Sequence, residues 1–112
     1  MSREDCLFCK IIQKKIPADI VFENDSIIAF KDIHPAAPVH ILIVPKKHIG
    51  TIDDLEREDS PVVNDIIFSA QKIARELQIA GKGYRLIFNV KSDGGQIVNH
   101  IHLHLIGGKK LS

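Results

Sequence analysis

The sequence has few cysteines, no long apolar run and almost no excess of either sign of charge. Fifteen basic residues stand against fourteen acidic ones, so the formal net charge is +1, unlike the basic footprint of a dedicated nucleic-acid-binding protein. Two cysteines are too few for a secreted disulfide scaffold. No apolar run approaches the roughly 20 residues that cross a bilayer, so we expect no membrane partner. Residues 1–5 lack the order of a signal peptide, which predicts a cytoplasmic protein.

The length and the apolar content predict a single domain over residues 1–112. Of the 112 residues, 45% are hydrophobic, and a chain of this size can bury about two-thirds of its unfolded surface. No internal repeat, linker or low-complexity tract divides the sequence. We therefore expect one core that needs no disulfide.

Apolar periodicity predicts an α+β fold, with two helices packed on a mostly antiparallel sheet of about five strands. The first helix is expected near residues 5–15, before Pro17. The second is expected to begin at Ser60-Pro61, with Ser60 as N-cap, and to continue to Gly81. Apolar and β-branched runs predict the strands, which are residues 20–23, 27–30, 40–44, 84–90 and 97–106.

Three histidines alternate with aliphatic residues in the last predicted strand. On a regular strand, His100, His102 and His104 lie on one face and the aliphatic side chains face the core. The outer two Cα atoms are then about 13 Å apart, too far for one metal ion with bonds of about 2 Å to bind all three. Neighbouring imidazoles are about 6.6 Å apart and can converge on a phosphate, one attacking and the other donating. The pattern therefore favours phosphorus chemistry.

Two nearby features are compatible with a phosphate or a nucleoside, and each also has an ordinary structural explanation. Gly94-Gly95-Gln96 offers backbone N–H groups of the kind that hold phosphate, but the same residues suit a simple hairpin turn. Asp32 could accept hydrogen bonds from ribose hydroxyls or cap the proline-rich turn that follows it.

The alternating run resembles the His-φ-His-φ-His-φ-φ signature (φ hydrophobic) of the histidine triad superfamily of nucleotide hydrolases and transferases. The flanking motifs that share the resemblance are Phe8-Cys9-Lys10-Ile11-Ile12, Phe30-Lys31-Asp32-Ile33, Pro38-Val39-His40, Pro45-Lys46-Lys47-His48 and Gly94-Gly95-Gln96. The sequence is most similar to the nucleotide-binding branch. That resemblance implies a HIT-like fold and a homodimer that hydrolyses purine nucleoside phosphoramidates, such as AMP or GMP derivatives.

The resemblance implies a catalytic role for three histidines. His102 is the nucleophile that attacks the α-phosphorus and forms a nucleotidyl-histidine intermediate, and His104 contacts the phosphate and assists the leaving amine. His40 matches the histidine that supports the reactive tautomer. Backbone amides would hold the phosphate oxygens, namely those around Gly95, Gln96 and Ile97.

The resemblance also implies a nucleoside subsite. Asp32 would bind the ribose and Asn89 the phosphate end. An apolar slot for the base would be formed by Phe8, Ile11, Phe30 and Ile33. On spacing alone, these apolar residues are ordinary core residues.

Cys6 and Cys9 present two thiols on one helical turn, which could be a redox pair, half of a metal site or two buried thiols. The resemblance implies that His48 and His100 complete a structural zinc site with them. No organic cofactor is expected.

Two other functions remain open at this point. A dinucleoside polyphosphate hydrolase of the same superfamily typically has a glutamine at the fourth triad position, where this chain has Leu105-Ile106. The alternative is a nucleotide-binding regulatory protein whose hydrolysis is incidental.

Overall fold

The structure is a computed structural model that describes residues 5–112. Residues 1–4, which belong to the segment that lacks the order of a signal peptide, therefore lie outside the described residues. The helices and strands, in chain order, are α1 (Leu7–Ile12), β1 (Ile20–Glu23), β2 (Ile27–Lys31), β3 (Val39–Pro45), α2 (Ser60–Glu76), β4 (Arg85–Ile87) and β5 (Leu103–Gly107). Between residues 5 and 112, no helix is long and apolar enough to span a bilayer.

The sheet has five antiparallel strands in the order β1-β2-β3-β5-β4. Strand β3 is central and almost wholly buried, as its unbroken apolar run indicates. Helix α2 covers one face of the sheet with Ile66, Ala70 and Ile73. The second buried cluster joins Phe8 and Ile11 of α1 to residues of β2 and β3. The α+β prediction is confirmed.

Both helices are shorter than predicted. Helix α1 ends at Ile12 because Lys14 adopts a left-handed backbone (φ 62°), and α2 ends at Glu76 because Gln78 does the same (φ 62°). Pro17 and Gly81, which were expected to end them, lie beyond these points. A non-glycine residue in this conformation has no distinctive sequence signal.

The start of α2 also differs from the prediction. Its N-cap residue is Asp59, and Ser60 is already helical. The Ser60 hydroxyl donates to the Arg57 carbonyl at 2.6 Å. Asp59 is buried, and its carboxylate accepts from the Glu56 N–H and from Lys47. The Lys47 ammonium thereby lowers the pKa of Asp59.

The last strand begins six residues later than predicted. Only His104 of the three histidines lies in β5, while His100 and His102 precede it in irregular backbone. The Ile101 N–H donates to the Ile49 carbonyl at 2.7 Å, outside the sheet ladder. Likewise, β4 covers only Arg85–Ile87 instead of residues 84–90. Strict alternation in the sequence therefore does not correspond to a strand throughout.

Candidate active site

A cleft of about 340 Å³ lies beside α1, the end of β2 and the segment that leads into β5. Its volume is at the lower end of the range for small-molecule sites. Ten of the predicted nucleotide-binding residues line it, namely Phe8, Ile11, Phe30, Asp32, Ile33, Asn89, Gly95, Ile97, His102 and His104. Gln96 and His40 are not among the lining residues.

The apolar residues at one end of the cleft belong to the protein core and also form the wall of the cleft. Phe8 and Phe30 are buried and meet edge to face, with their ring centroids 5.6 Å apart. Ile11 is buried beside them. Ile33 was expected in the apolar slot, but it lies at the mouth of the cleft with 86% of its surface exposed. Ile97 also lies at the mouth and is 94% exposed. The slot therefore has rigid inner walls and an open apolar rim.

His102 is held as a neutral imidazole with a free lone pair. Its Nδ1 lies 2.8 Å from the carbonyl oxygen of His100, and since a carbonyl can only accept, Nδ1 carries the proton. The lone pair is then on Nε2. Burial lowers the pKa of His102, so the ring stays neutral at pH 7. The Phe8 ring packs against it at a centroid distance of 4.9 Å.

His104 is held in the opposite tautomer by His40. The Ala36 N–H donates to His40 Nδ1 at 3.0 Å, so the proton of His40 is on Nε2. That Nε2–H donates to His104 Nδ1 at 2.9 Å, which leaves the His104 proton on Nε2. Burial, followed by the neighbouring His102 and His40, lowers the pKa of His104 to about 4.

The two cleft histidines therefore differ in what they offer. His102 presents an acceptor nitrogen and His104 presents an N–H, and their ring centroids are 4.9 Å apart. His40 acts on His104, whereas the resemblance suggested that it supports the nucleophile; the group that fixes His102 is the His100 carbonyl. A backbone carbonyl leaves no signal in the sequence.

Asp32 caps the turn that follows it and can also bind a ribose hydroxyl, so the two alternatives predicted from the sequence are compatible. Its Oδ1 accepts from the His34 N–H at 2.8 Å, which caps the turn, and Oδ2 lies 3.5 Å from His40 Nε2. Its side chain also lines the cleft. Each carboxylate oxygen has two lone pairs, so acceptor capacity remains for a ribose hydroxyl.

The glycine-rich turn supplies fewer free amides than expected. The N–H groups of Gly95 and Gln96 donate to the carbonyls of Ser92 and Lys91, each at 3.0 Å, and are therefore not available to a phosphate. The Ile97 N–H has no protein acceptor within residues 5–112. It is the one amide of the expected three that can serve a ligand.

Both glycines of this turn are required by its geometry. Gly95 has a φ of 83°, which favours glycine. A Cβ on Gly94 would lie 2.3 Å from the Val90 carbonyl oxygen, so only glycine fits there. Asn89 closes the turn by donating from Nδ2 to the Gly94 carbonyl at 2.8 Å.

Cys6, Cys9, His48 and His100 form a cluster whose potential ligand atoms all lie within 4.8 Å of one another. His100 Nδ1 is 3.3 Å from Cys6 Sγ, and His48 Nδ1 is 3.3 Å from Cys9 Sγ. His100 is fully buried, and burial lowers its pKa to about 4. The cluster can hold a metal ion.

A test of that fit is the orientation of the buried His100 ring. Its Nε2 lies 2.8 Å from the Pro45 carbonyl and must therefore donate, which directs the Nδ1 lone pair towards the two thiols. Metal-binding histidines commonly make such a bond with their other nitrogen. Two sulfur and two nitrogen donors match the preference of Zn²⁺.

Comparison with known proteins identifies the family. The HIT domain family model matches residues 13–111, so the chain belongs to the HIT domain family. The resemblance drawn from the histidine run is thus confirmed. A HIT family hydrolase from Legionella pneumophila Philadelphia 1 has a crystal structure that superposes with a TM-score of 0.95 at 54% identity, over 96% of each chain.

Two further relatives bear on activity and metal content. The purine nucleoside phosphoramidase of Escherichia coli (strain K12) is 48% identical over 108 residues, which cover 96% of this chain and 91% of that protein. A Zn-bound histidine triad family protein from Mycobacterium smegmatis is 31% identical, with a TM-score of 0.84 over 99% of this chain and 82% of that one.

Proposed function

We propose that the chain is a single histidine triad domain that hydrolyses the P–N bond of purine nucleoside 5′-phosphoramidates of the AMP-amine or GMP-amine type. An aminoacyl-AMP, whose α-phosphorus carries a carboxylate leaving group through oxygen, is a further substrate of the same attack at phosphorus. The observation that carries this proposal is the pairing of two neutral imidazoles of opposite tautomer, His102 and His104, in one cleft. The 48% identity to a purine nucleoside phosphoramidase supports the same substrate class.

In the proposed reaction, Nε2 of His102 attacks the α-phosphorus and forms a P–N bond to the protein. The substrate amine leaves with the electron pair of its own P–N bond, while the Nε2–H of His104 donates a hydrogen bond to it. A water molecule at the open mouth supplies the proton that the amine takes up. The oxygen of that water then attacks the phosphorus, breaks the bond to His102 and releases the nucleotide.

Intact mass spectrometry after a brief incubation with an adenosine phosphoramidate tests this pathway. We expect an acid-labile adduct of one AMP moiety that maps to His102. The His102→Ala variant should form no adduct and show no turnover, yet still bind AMP, because the apolar slot and Asp32 are intact. Turnover retained by that variant would refute the nucleophile assignment.

The same assay separates the competing functions. A turnover number far below about 1 s⁻¹ on every phosphoramidate would favour a nucleotide-binding regulator over an evolved enzyme. Faster cleavage of a diadenosine polyphosphate than of any phosphoramidate would favour the dinucleoside polyphosphate hydrolase.

We also propose that the metal is zinc and that its role is structural. Cys6 and Cys9 at the start of α1, His48 after β3 and His100 before β5 would hold it. Zn²⁺ bound there would tether α1 to the catalytic segment. Cys6 and Cys9 are buried and are not joined by a disulfide, and a reduced pair fits a cytoplasmic location.

A homodimer is the proposed assembly. Strand β4 is an edge strand, and its Leu86 pairs with Leu105, a core residue on the α2 side of the sheet. Phe68 of α2 is 64% exposed and Ile67 is partly exposed. An edge strand and an exposed apolar helix surface both suit pairing with a second copy around a two-fold axis.

A further inference from the structure

The Gln96 side chain is fully engaged within the protein, although its residue belongs to the turn beside the cleft. Its Nε2 donates to the Gly50 carbonyl at 2.7 Å and to the Val98 carbonyl at 3.0 Å. Its Oε1 accepts from the Lys91 N–H at 2.9 Å. Both N–H groups and the oxygen of the carboxamide are thus used, and Gln96 does not line the cleft.

The three partners of the Gln96 side chain belong to the two ends of the glycine-rich turn and to the segment that follows β3. Lys91 begins the glycine-rich turn and Val98 follows it. Gly50 belongs to the segment after β3, where the adjacent Ile49 carbonyl accepts from the Ile101 N–H at 2.7 Å. Gln96 therefore ties both ends of the turn to the segment that also anchors the chain next to His102.

In the sequence, Ile97 lies between Gln96, whose side chain makes these hydrogen bonds, and Val98, whose carbonyl accepts one of them. Of the Gly95, Gln96 and Ile97 amides, that of Ile97 has no protein acceptor among residues 5–112, and the residue lines the cleft together with His102 and His104. The position of this N–H is set by the peptide that joins Gln96 to Ile97 and by Val98, whose carbonyl Gln96 binds.

We propose that Gln96 is a positioning residue whose carboxamide fixes the Ile97 N–H against the phosphoryl group in the cleft; this inference rests on the proposed phosphoramidate hydrolysis. A backbone donor aimed at phosphate oxygens acts most strongly as charge develops on them in the transition state. Displacing it lowers kcat more than it changes KM.

Two variants test the proposal in complementary ways. Gln96→Leu keeps approximate size and removes all three hydrogen bonds, and Gln96→Glu keeps an acceptor for Lys91 but places a carboxylate against two carbonyl oxygens. We expect kcat to fall about 10- to 100-fold in both, with KM changed by less than about 3-fold, since loss of one oxyanion donor costs at most about 10³. Gln78→Glu, the same change at an exposed residue past α2, is the matched control.

A second measurement, the response of the Ile97 amide signal to AMP, distinguishes positioning from a purely structural role of Gln96, which would leave that response unchanged. In ¹H–¹⁵N spectra of the unmodified protein, the Ile97 amide should shift on addition of AMP but not of adenosine, which lacks the phosphate. In the Gln96 variants this response should shrink, while AMP still shifts Phe30 in the base slot. Thermal unfolding shows whether each variant is folded.

The outcomes separate this inference from the proposed function. An Ile97 amide that ignores AMP in the unmodified protein, or folded Gln96 variants with unchanged kcat, would overturn the positioning role. Absence of turnover in the unmodified protein, with a normal Ile97 response to AMP, would overturn the hydrolase and leave the role of Gln96 at the phosphate standing.

Discussion

His40 Nε2 donates to His104 Nδ1 across 2.9 Å, from one strand to its neighbour in the sheet. The direction of this bond follows from a backbone group, because the Ala36 N–H occupies the other nitrogen of His40. One N–H of the main chain thus determines which nitrogen of His104 carries the proton. His102 is oriented independently, by the His100 carbonyl.

Replacing His40 by alanine should impair His104 without disabling His102. His104 Nδ1 would lose its donor, so the proton could occupy either ring nitrogen and the leaving amine would lose its hydrogen bond for part of the time. We expect kcat to fall about 10- to 100-fold, at or below the lower limit of the roughly 10²- to 10⁴-fold range of acid–base assistance, because His104 itself is retained. Single-turnover kinetics with mass detection should still show the adduct on His102. An unchanged kcat would contradict the role of His40.

The free energy of unfolding should fall as the pH drops from about 6.5 to 4. Burial lowers the pKa of His104 and of His100 to about 4 each, whereas unfolded histidines titrate near 6.5. Between these values the unfolded chain binds more protons, so stability rises with pH through this window. Urea unfolding at pH 4.5 and 7 measures the slope. His104→Asn should show a smaller slope, and an identical slope would contradict the assignment to His104.

Loss of one thiol should reduce metal content and stability together. Cys9→Ser removes a sulfur donor at a buried site, so we expect less than one bound Zn²⁺ per chain and a Tm lower by about 10 °C or more, since metal binding free energy contributes to folding. Elemental analysis and thermal unfolding are the measurements. Folded Cys9→Ser protein should keep kcat within a few-fold at 25 °C, because Cys9 does not line the cleft. Loss of all turnover at full zinc content would instead indicate redox chemistry.

A charged residue introduced on the exposed apolar surface of α2 should dissociate the proposed homodimer into monomers. Phe68→Glu places a carboxylate where the proposed dimer is apolar, so the mass in solution should fall from twice 12.5 kDa to a single chain. Light scattering after size exclusion gives the mass. Ile20→Glu, on the opposite edge strand β1, is the control and should remain dimeric. A monomeric unmodified protein would refute the proposed assembly.

The sequence predicted the number and type of the main elements because its apolar patterns are long and regular. The run in β3 and the stripe on α2 are both strong signals, and both elements were placed correctly. Element ends were predicted less well. Lys14 and Gln78 stop the helices by a left-handed backbone that many polar residues can adopt, and the Ile101–Ile49 bond that delays β5 joins residues 52 positions apart.

For the candidate site, residue types could be predicted but the assignment of partners could not. Most of the expected cleft residues do line the cleft, because the motif fixes which side chains are available. Main-chain groups orient the histidines: the His100 carbonyl orients His102, the Ala36 N–H acts on His104 through His40, and the Pro45 carbonyl orients His100 in the Cys/His cluster. Every residue of the chain has a carbonyl and all but proline have an N–H, so a choice among them depends on the fold alone.

Helix α1 begins before the segment that the HIT family model matches, yet it supplies Phe8 to the cleft and Cys9 to the thiol cluster. A truncation at residue 13 would therefore keep every catalytic imidazole while opening one wall of the base slot and removing both sulfur donors, Cys6 among them. Boundaries chosen for excision or domain fusion should be set upstream of Cys6, with a spacer that lets its side chain remain buried.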